Sequence, residues 1–170
     1  IASCSWGSEN TGGIEAAIDY FLASGGLIFK AAGNSNSEIP DYVAARDDII
    51  TQAEILEDDC RAYFSNYGDW IDIAAPGVNI WSLYHDKFDP ETDYATNMDG
   101  TSMAAPLAAS VAALIWSQNP GLSAEQVKQR LLNSADPIDQ LSCNSSYINK
   151  LGAGRVNAFN AFDTCKGNFD

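Results

Sequence analysis

Within its first stretch of about thirty residues the chain changes hydrophobic period twice, from strand to helix and back. No other feature narrows the folds open to it as far. Ile1 to Trp6 reads as a short strand. From Thr11 onward Ile14, Ala17, Ile18, Phe21 and Leu22 recur at helical spacing, and Gly25-Gly26 supplies the stop. Leu27-Ile28-Phe29-Lys30-Ala31-Ala32 then reads as a mostly buried strand ending at Gly33-Asn34, before the polar loop Ser35-Asn36-Ser37. Strand, helix, strand is a βαβ unit, and parallel strands joined by a covering helix predict an α/β fold with a mainly parallel sheet.

The rest of the chain extends that pattern. Further strands are expected at Ile49 to Ile55, around Tyr63-Phe64, at Ile71 to Ala74 and at Asn79 to Leu83. Tyr84 to Asp93, with Asp86, Asp89, Glu91 and Asp93 and little apolar content, reads as a loop. Ser102 to Gln118 is rich in Ala and Leu and apolar on most sides, which predicts a buried helix. Ser123 with Gln126 forms a capping-box start for an amphipathic helix through Asn133, whose inner face is Val127, Leu131 and Leu132. A short helix is expected at Asn157 to Asp163. With 170 residues, no repeat and no low-complexity stretch, residues 1–170 read as part of one domain.

Charge and cysteine usage remove whole classes of function. Nine Lys and Arg against 23 Asp and Glu give a net charge of −14. Phosphate recognition needs a positive field, so nucleic acid is excluded as a partner. The longest apolar stretch, Met103 to Trp116, is interrupted by Pro106 and Ser110 and is shorter than the roughly 20 residues that span a bilayer, so no membrane segment is expected. Cys4, Cys60, Cys143 and Cys165 form no C-x-x-C pair, which argues against a zinc site or a redox dithiol. Two disulfides, in any of three connectivities, or buried free thiols remain open. Asn144-Ser145-Ser146 matches a glycosylation sequon short enough to arise by chance.

The string that bears on chemistry is Gly100-Thr101-Ser102-Met103-Ala104-Ala105-Pro106. Gly100 permits a tight turn, Ser102 stands where the turn becomes a helix, and Ala104 and Ala105 allow that helix to pack closely. A serine at this point has an exposed hydroxyl, and its N–H is one of the first in a helix, which have no internal partner. Such a residue can attack a carbonyl and stabilise the resulting oxyanion. From spacing alone it reads first as an ordinary helix cap. The whole string resembles the nucleophile motif of the subtilisin-like serine proteases, the subtilases, and further blocks resemble that family in order. Ser5-Trp6-Gly7 is similar to its substrate strand, Ala31-Ala32-Gly33-Asn34 to its oxyanion segment, and Phe64-Ser65-Asn66-Tyr67-Gly68 with Asp72-Ile73-Ala74-Ala75-Pro76-Gly77 to the run before the nucleophile. Gly152-Ala153-Gly154-Arg155-Val156-Asn157-Ala158 is similar to its closing segment.

The resemblance implies a subtilisin-like α/β fold, incomplete at the N-terminus, with helices on both faces of the sheet. It implies Ser102 as nucleophile, with the side-chain amide of Asn34 and the N–H of Ser102 holding the oxyanion. Ser5, Trp6 and Gly7 would pair with an extended polypeptide substrate, and Ala31, Ala32 and Gly33 would border the pocket for the residue before the cleaved bond. The family order is Asp, then His, then Ser. The first two are expected on an upstream segment, because the chain opens mid-strand at Ile1. His85, the only histidine, lies in the loop before the nucleophile and reads as a solvated residue. Where the family commonly shows Pro-His-Val-Ala-Gly, this chain has Pro106-Leu107-Ala108-Ala109-Ser110.

These readings predict a secreted serine endopeptidase that needs no cofactor for its chemistry, with this chain inactive by itself. The alternative is a peptide-binding or pseudoprotease module without a base. The metal ligands are unknown: the resemblance implies that structural calcium can be bound, and Glu57, Asp58 and Asp59 or Asp86, Asp89, Glu91 and Asp93 could offer it carboxylates, but either run reads first as a solvated acidic surface.

Overall fold

The computed structural model describes residues 1–8, 13–85, 88 and 95–162. Four strands form a parallel sheet in the order β1 (Ala2–Cys4), β2 (Ile28–Ala31), β3 (Ile50–Ile55) and β4 (Ile73–Pro76). Phe29 pairs with Ile50 and Glu54 with Ala75, which places the ends of β2, β3 and β4 at one edge of the sheet. A separate antiparallel pair, β5 (Ile80–Leu83) and β6 (Ala95–Met98), projects between β4 and the long helix α2 (Thr101–Gln118). Helices α1 (Ile14–Ala23), α3 (Ala124–Asn133) and α4 (Ala158–Phe162) complete the described elements, with a 3-10 turn at Ser142–Tyr147.

Alternation along the strands assigns each face of the sheet. Leu27, Phe29, Ile50, Ile73 and Ala75 point to one side, where α2 covers them with Ala104, Ala108, Ala112 and Ile115, backed by Val127 and Leu131 of α3. Alanine makes this possible, because its small side chain lets the α2 backbone lie close to three strands while interior packing density is kept. On the other side Ile28 and Ile49 pack with Ile18 of α1 and Val43, while Ala53, Ile55 and Ala74 pack with Ile138 and Leu151. Helices therefore cover both faces, as expected. The capping box at Ser123 is present: Gln126 N–H donates to Ser123 Oγ at 3.2 Å and Ser123 N–H to Gln126 Oε1 at 2.8 Å.

The differences are local. No strand forms at Tyr63-Phe64; the segment turns, with Ser65 N–H donating to the Ala62 carbonyl, because Arg61 has already ended its single antiparallel bridge to Ile55. Tyr63 is left 81% exposed, so its β propensity has no sheet to join. β6 was unforeseen, since Thr96-Asn97-Met98 lacks a hydrophobic alternation and is ordered by pairing with β5. Most of the expected loop Tyr84 to Asp93, and Thr11 and Asp163 at two helix ends, lie outside the described residues.

The cysteines and the sequon resolve in part. Cys60 and Cys143 form a disulfide, Cys4 is a free thiol, and Cys165 lies outside the described residues. Asn144, beside that bridge, is fully buried. It accepts from Arg61 N–H at 2.9 Å and donates to the Asp59 and Ile138 carbonyls at 3.0 Å each, so its amide is committed to the fold and closed to a glycan.

Candidate active site

The start of α2 lies against the turn that follows β2, and the local chemistry explains how the two are joined. Gly100, at φ +153, makes the turn into the helix, and no side chain of its own sequence caps α2. The cap comes from Asn34 instead. Its Oδ1 accepts from Thr101 N–H at 3.0 Å and from Thr101 Oγ1–H at 2.8 Å. Thr101 Oγ1 in turn accepts from Gly33 N–H at 3.0 Å. With its oxygen doubly held, Asn34 can present only its amide nitrogen elsewhere, and that Nδ2 lies 3.2 Å from where a Cβ on Gly100 would stand. A larger residue at Gly100 would crowd the donor.

Ser102 is the second residue of α2, so its N–H belongs to the unpaired first turn. Its hydroxyl donates to the Ser5 carbonyl at 3.4 Å, and Ser5 Oγ donates back to the Ser102 carbonyl at 2.8 Å. Pro106 explains why that carbonyl is available. Lacking an N–H, proline leaves the oxygen four residues earlier without its helical partner, and Ser5 takes the place. The structure thus brings Ser102, Asn34 and Ser5 to one place. Trp6 and Gly7, just beyond β1, are exposed, with Trp6 at 46%. Ala31 and Ala32 are buried in the sheet, and Gly33 is half-buried at φ +103.

Four supporting residues, Thr101, Asn66, Arg61 and Glu54, are not marked as such by the sequence pattern. Thr101 is a motif residue in the sequence and the joint between helix and loop in the fold. Asn66 is the second. Its Oδ1 accepts from Ser35 N–H at 3.0 Å and Ser37 N–H at 2.9 Å, and its Nδ2 donates to the Ala32 carbonyl at 2.9 Å. It sits so close under Gly33 that a Cβ there would stand 2.6 Å from Asn66 Nδ2, so the loop needs glycine at that point for space as well as for φ. Buried Arg61 steadies the same loop from below, donating to Asn36 Oδ1 at 2.8 Å and lying over the Tyr67 and Tyr147 rings at 4.8 and 4.1 Å. Glu54 is the fourth, and its signal is a lone acid inside the apolar run Ile49 to Ile55. It is fully buried, and its Oε1 accepts from Gly100 N–H at 3.2 Å.

His85 is exposed and follows β5. Of the acidic runs, Asp86, Asp89, Glu91 and Asp93 lie outside the described residues. In the other, Asp59 is paired with Arg155 at 3.0 Å and Asp58 Oδ1 accepts from Cys60 N–H at 3.1 Å, so two of its three carboxylates already have partners. Among the described residues no group of three or more His, Cys, Asp or Glu side chains is placed to hold a metal ion, and no helix is long and apolar enough to cross a membrane.

Comparison with known proteins agrees with this geometry. The model of the subtilase family matches residues 1–160. Thermitase of Thermoactinomyces vulgaris is 37% identical over 155 residues, covering 91% of this chain and 50% of that protein. Subtilisin BL of Lederbergia lenta is 35% identical over 159 residues, covering 93% and 54% respectively. Among solved structures, a protease from Pseudoalteromonas arctica superposes with a TM-score of 0.79 at 30% identity, covering 94% of this chain and 49% of that one. The chain spans about half the length of these relatives.

Proposed function

Since this chain belongs to the subtilase family, we propose that it is the C-terminal portion of one serine endopeptidase domain and supplies that domain's nucleophile and oxyanion hole. The observation that carries the reading is the double clamp of Thr101 on Asn34 Oδ1, which leaves the amide end of Asn34 to face the start of the nucleophile helix. Ser102 Oγ attacks the scissile carbonyl, and a base takes its proton. The oxyanion is held by Asn34 Nδ2 and Ser102 N–H. The amine then leaves with a proton from the same base, and water hydrolyses the acyl-enzyme. An amide donor suits the task because it stabilises negative charge without titrating. The chemistry needs no cofactor, and calcium, where bound, is structural.

A serine hydroxyl is a weak nucleophile without an adjacent base. That base and its orienting Asp are assigned to an upstream segment of the same domain, in keeping with the share of the relatives this chain spans. In subtilisin, loss of the base costs about 10⁶ in kcat, a measured figure carried over here, so the 170-residue chain alone is expected to be inactive. The substrate is an extended polypeptide that pairs with Ser5, Trp6 and Gly7, with Ala31, Ala32 and Gly33 bordering the pocket for the residue before the cleaved bond. The Cys60–Cys143 bridge supports a secreted protein, since disulfides persist in oxidising compartments.

The test is labelling of the native protein with a fluorophosphonate, alongside peptide turnover. Labelling that disappears in Ser102→Ala, with turnover restored to the isolated chain only by adding the upstream segment, is the expected result. Peptide binding with no labelling would replace the enzyme by a peptide-binding module, and turnover by the isolated chain would overturn the upstream assignment.

A further inference from the structure

Glu54 sits where a carboxylate is hard to place. It is fully buried on β3, on the face covered by α2, and it fills the slot between two turns: a Cβ added to Gly77 would stand 2.6 Å from Glu54 Cγ and 2.8 Å from the Gly100 carbonyl oxygen. Its Oε1 accepts from Gly100 N–H, which also donates to the Gly77 carbonyl at 2.9 Å, while its Oε2 has no partner among the described residues. Orphaned buried oxygens are costly and uncommon. Gly100 is the residue from which the nucleophile turn springs, with Thr101 and Ser102 next in the chain and Asn34 Nδ2 beside it.

From this arrangement we propose that Glu54 is a positioning residue for the nucleophile turn, which it grips through Gly100 N–H, and that its loss or gain of a proton tunes the oxyanion hole. The inference rests on the peptidase reading above. The groups around Glu54 are few. Ala75 pairs with it on β4, the Gly77 backbone follows that strand, the turn into α2 brings the Gly100 backbone, and β3 itself carries the neutral Gln52. The one charged group acting on it among the described residues is Asp99. Burial, reinforced by Asp99 and opposed by the Gly100 N–H, pushes the Glu54 carboxyl up to about 7. The protonated acid accepts from Gly100 without placing charge behind the turn. The anion binds that N–H more strongly but sets a buried negative charge next to the place where the oxyanion develops. Like charges at this range in a dry site slow the reaction, on the order of tenfold.

Two measurements on the native protein decide the matter. The Gly100 amide resonance is followed against pH in wild type and Glu54→Gln, and the pH dependence of kcat is compared between them. The expected result is a Gly100 amide that titrates near pH 7 in wild type and stays flat in Glu54→Gln, with the ratio of variant to wild-type kcat rising about tenfold from pH 5.5 to 8.5. A purely structural glutamate would leave that ratio constant, and a constant ratio or a non-titrating Gly100 amide overturns the proposal. Should the variant fail to fold, the wild-type amide titration together with the Glu54 carboxyl resonance still decides. A protein with no peptidase activity whose Gly100 amide nevertheless titrates with Glu54 would refute the enzymatic reading and keep the coupling.

Discussion

Replacing Thr101 by Val removes one hydroxyl from the joint between α2 and the Asn34 loop, and the structure gives the size of the effect. The hydroxyl is buried, donates to Asn34 Oδ1 at 2.8 Å and accepts from Gly33 N–H at 3.0 Å. Losing the first bond costs about 1 kcal/mol, and stranding the Gly33 N–H costs about 1–3 kcal/mol, so the protein should lose roughly 2–4 kcal/mol of stability. The catalytic cost is smaller. Asn34 keeps its second clamp, Thr101 N–H at 3.0 Å, so about 1 kcal/mol of orientation is lost and kcat should fall about fivefold. Deleting the donor, in Asn34→Ala, should cost 10²–10³, a range measured on the oxyanion asparagine of subtilisin itself and carried over here. Because the contact matures in the transition state, kcat and kcat/KM should fall together with KM unchanged. The assay is a double-mutant cycle on the native protein, with denaturant unfolding alongside. Thr101→Ser should restore activity, and Thr101→Val should have no further effect once Asn34 is alanine. Multiplicative losses in the double variant would show that Thr101 does not act through Asn34, and the clamp would be abandoned.

Other outcomes follow from single features. Glu54 keeps its proton to about 7 in the fold against an ordinary 4.5 in the unfolded chain, so its stabilising effect is complete below pH 4.5 and lost as pH rises to about 7. At about 1.4 kcal/mol per pH unit the loss approaches 3 kcal/mol, and denaturant midpoints of wild type should decline over that window relative to Glu54→Gln; parallel profiles would refute the burial argument. The Cys60–Cys143 bridge joins residues 83 apart, and in the chain-entropy account opening it by Cys60→Ser with Cys143→Ser costs up to about 4.5 kcal/mol, read by thermal unfolding with and without reductant. Asn144→Ala strands the buried Arg61 N–H and removes the donor to the Asp59 carbonyl, while Ile138 keeps Leu141 N–H, and should destabilise by about 3 kcal/mol; a glycosidase should leave the mass of the native protein unchanged.

The elements whose signals are local were legible in the chain. The helix over Ile14–Ala23 has a run of apolar residues at one period and a double glycine at its end, and α3 has a complete capping box. Those devices act within a few residues, so they need no tertiary partner to be recognised. β6 and the turn at Tyr63-Phe64 could not be read this way. Asn97 forms a strand only because β5 lies beside it, and Tyr63 remains outside the sheet only because Arg61 turns the chain away.

The site divides along the same line. Ser102 and Asn34 are marked by the ordered strings that resemble the subtilases, whereas spacing alone leaves Ser102 a helix cap. The contacts that bring them together belong to tertiary structure. Thr101 meets Asn34 across 67 positions, Ser5 meets Ser102 across 97, and Glu54 reaches Gly100 across 46. No periodicity or propensity encodes such pairings, because each is created when α2 settles on the sheet and its unpaired first turn must find donors and acceptors from distant loops. A hydrogen bond of that kind is decided by where the backbone already is, and only packing puts it there.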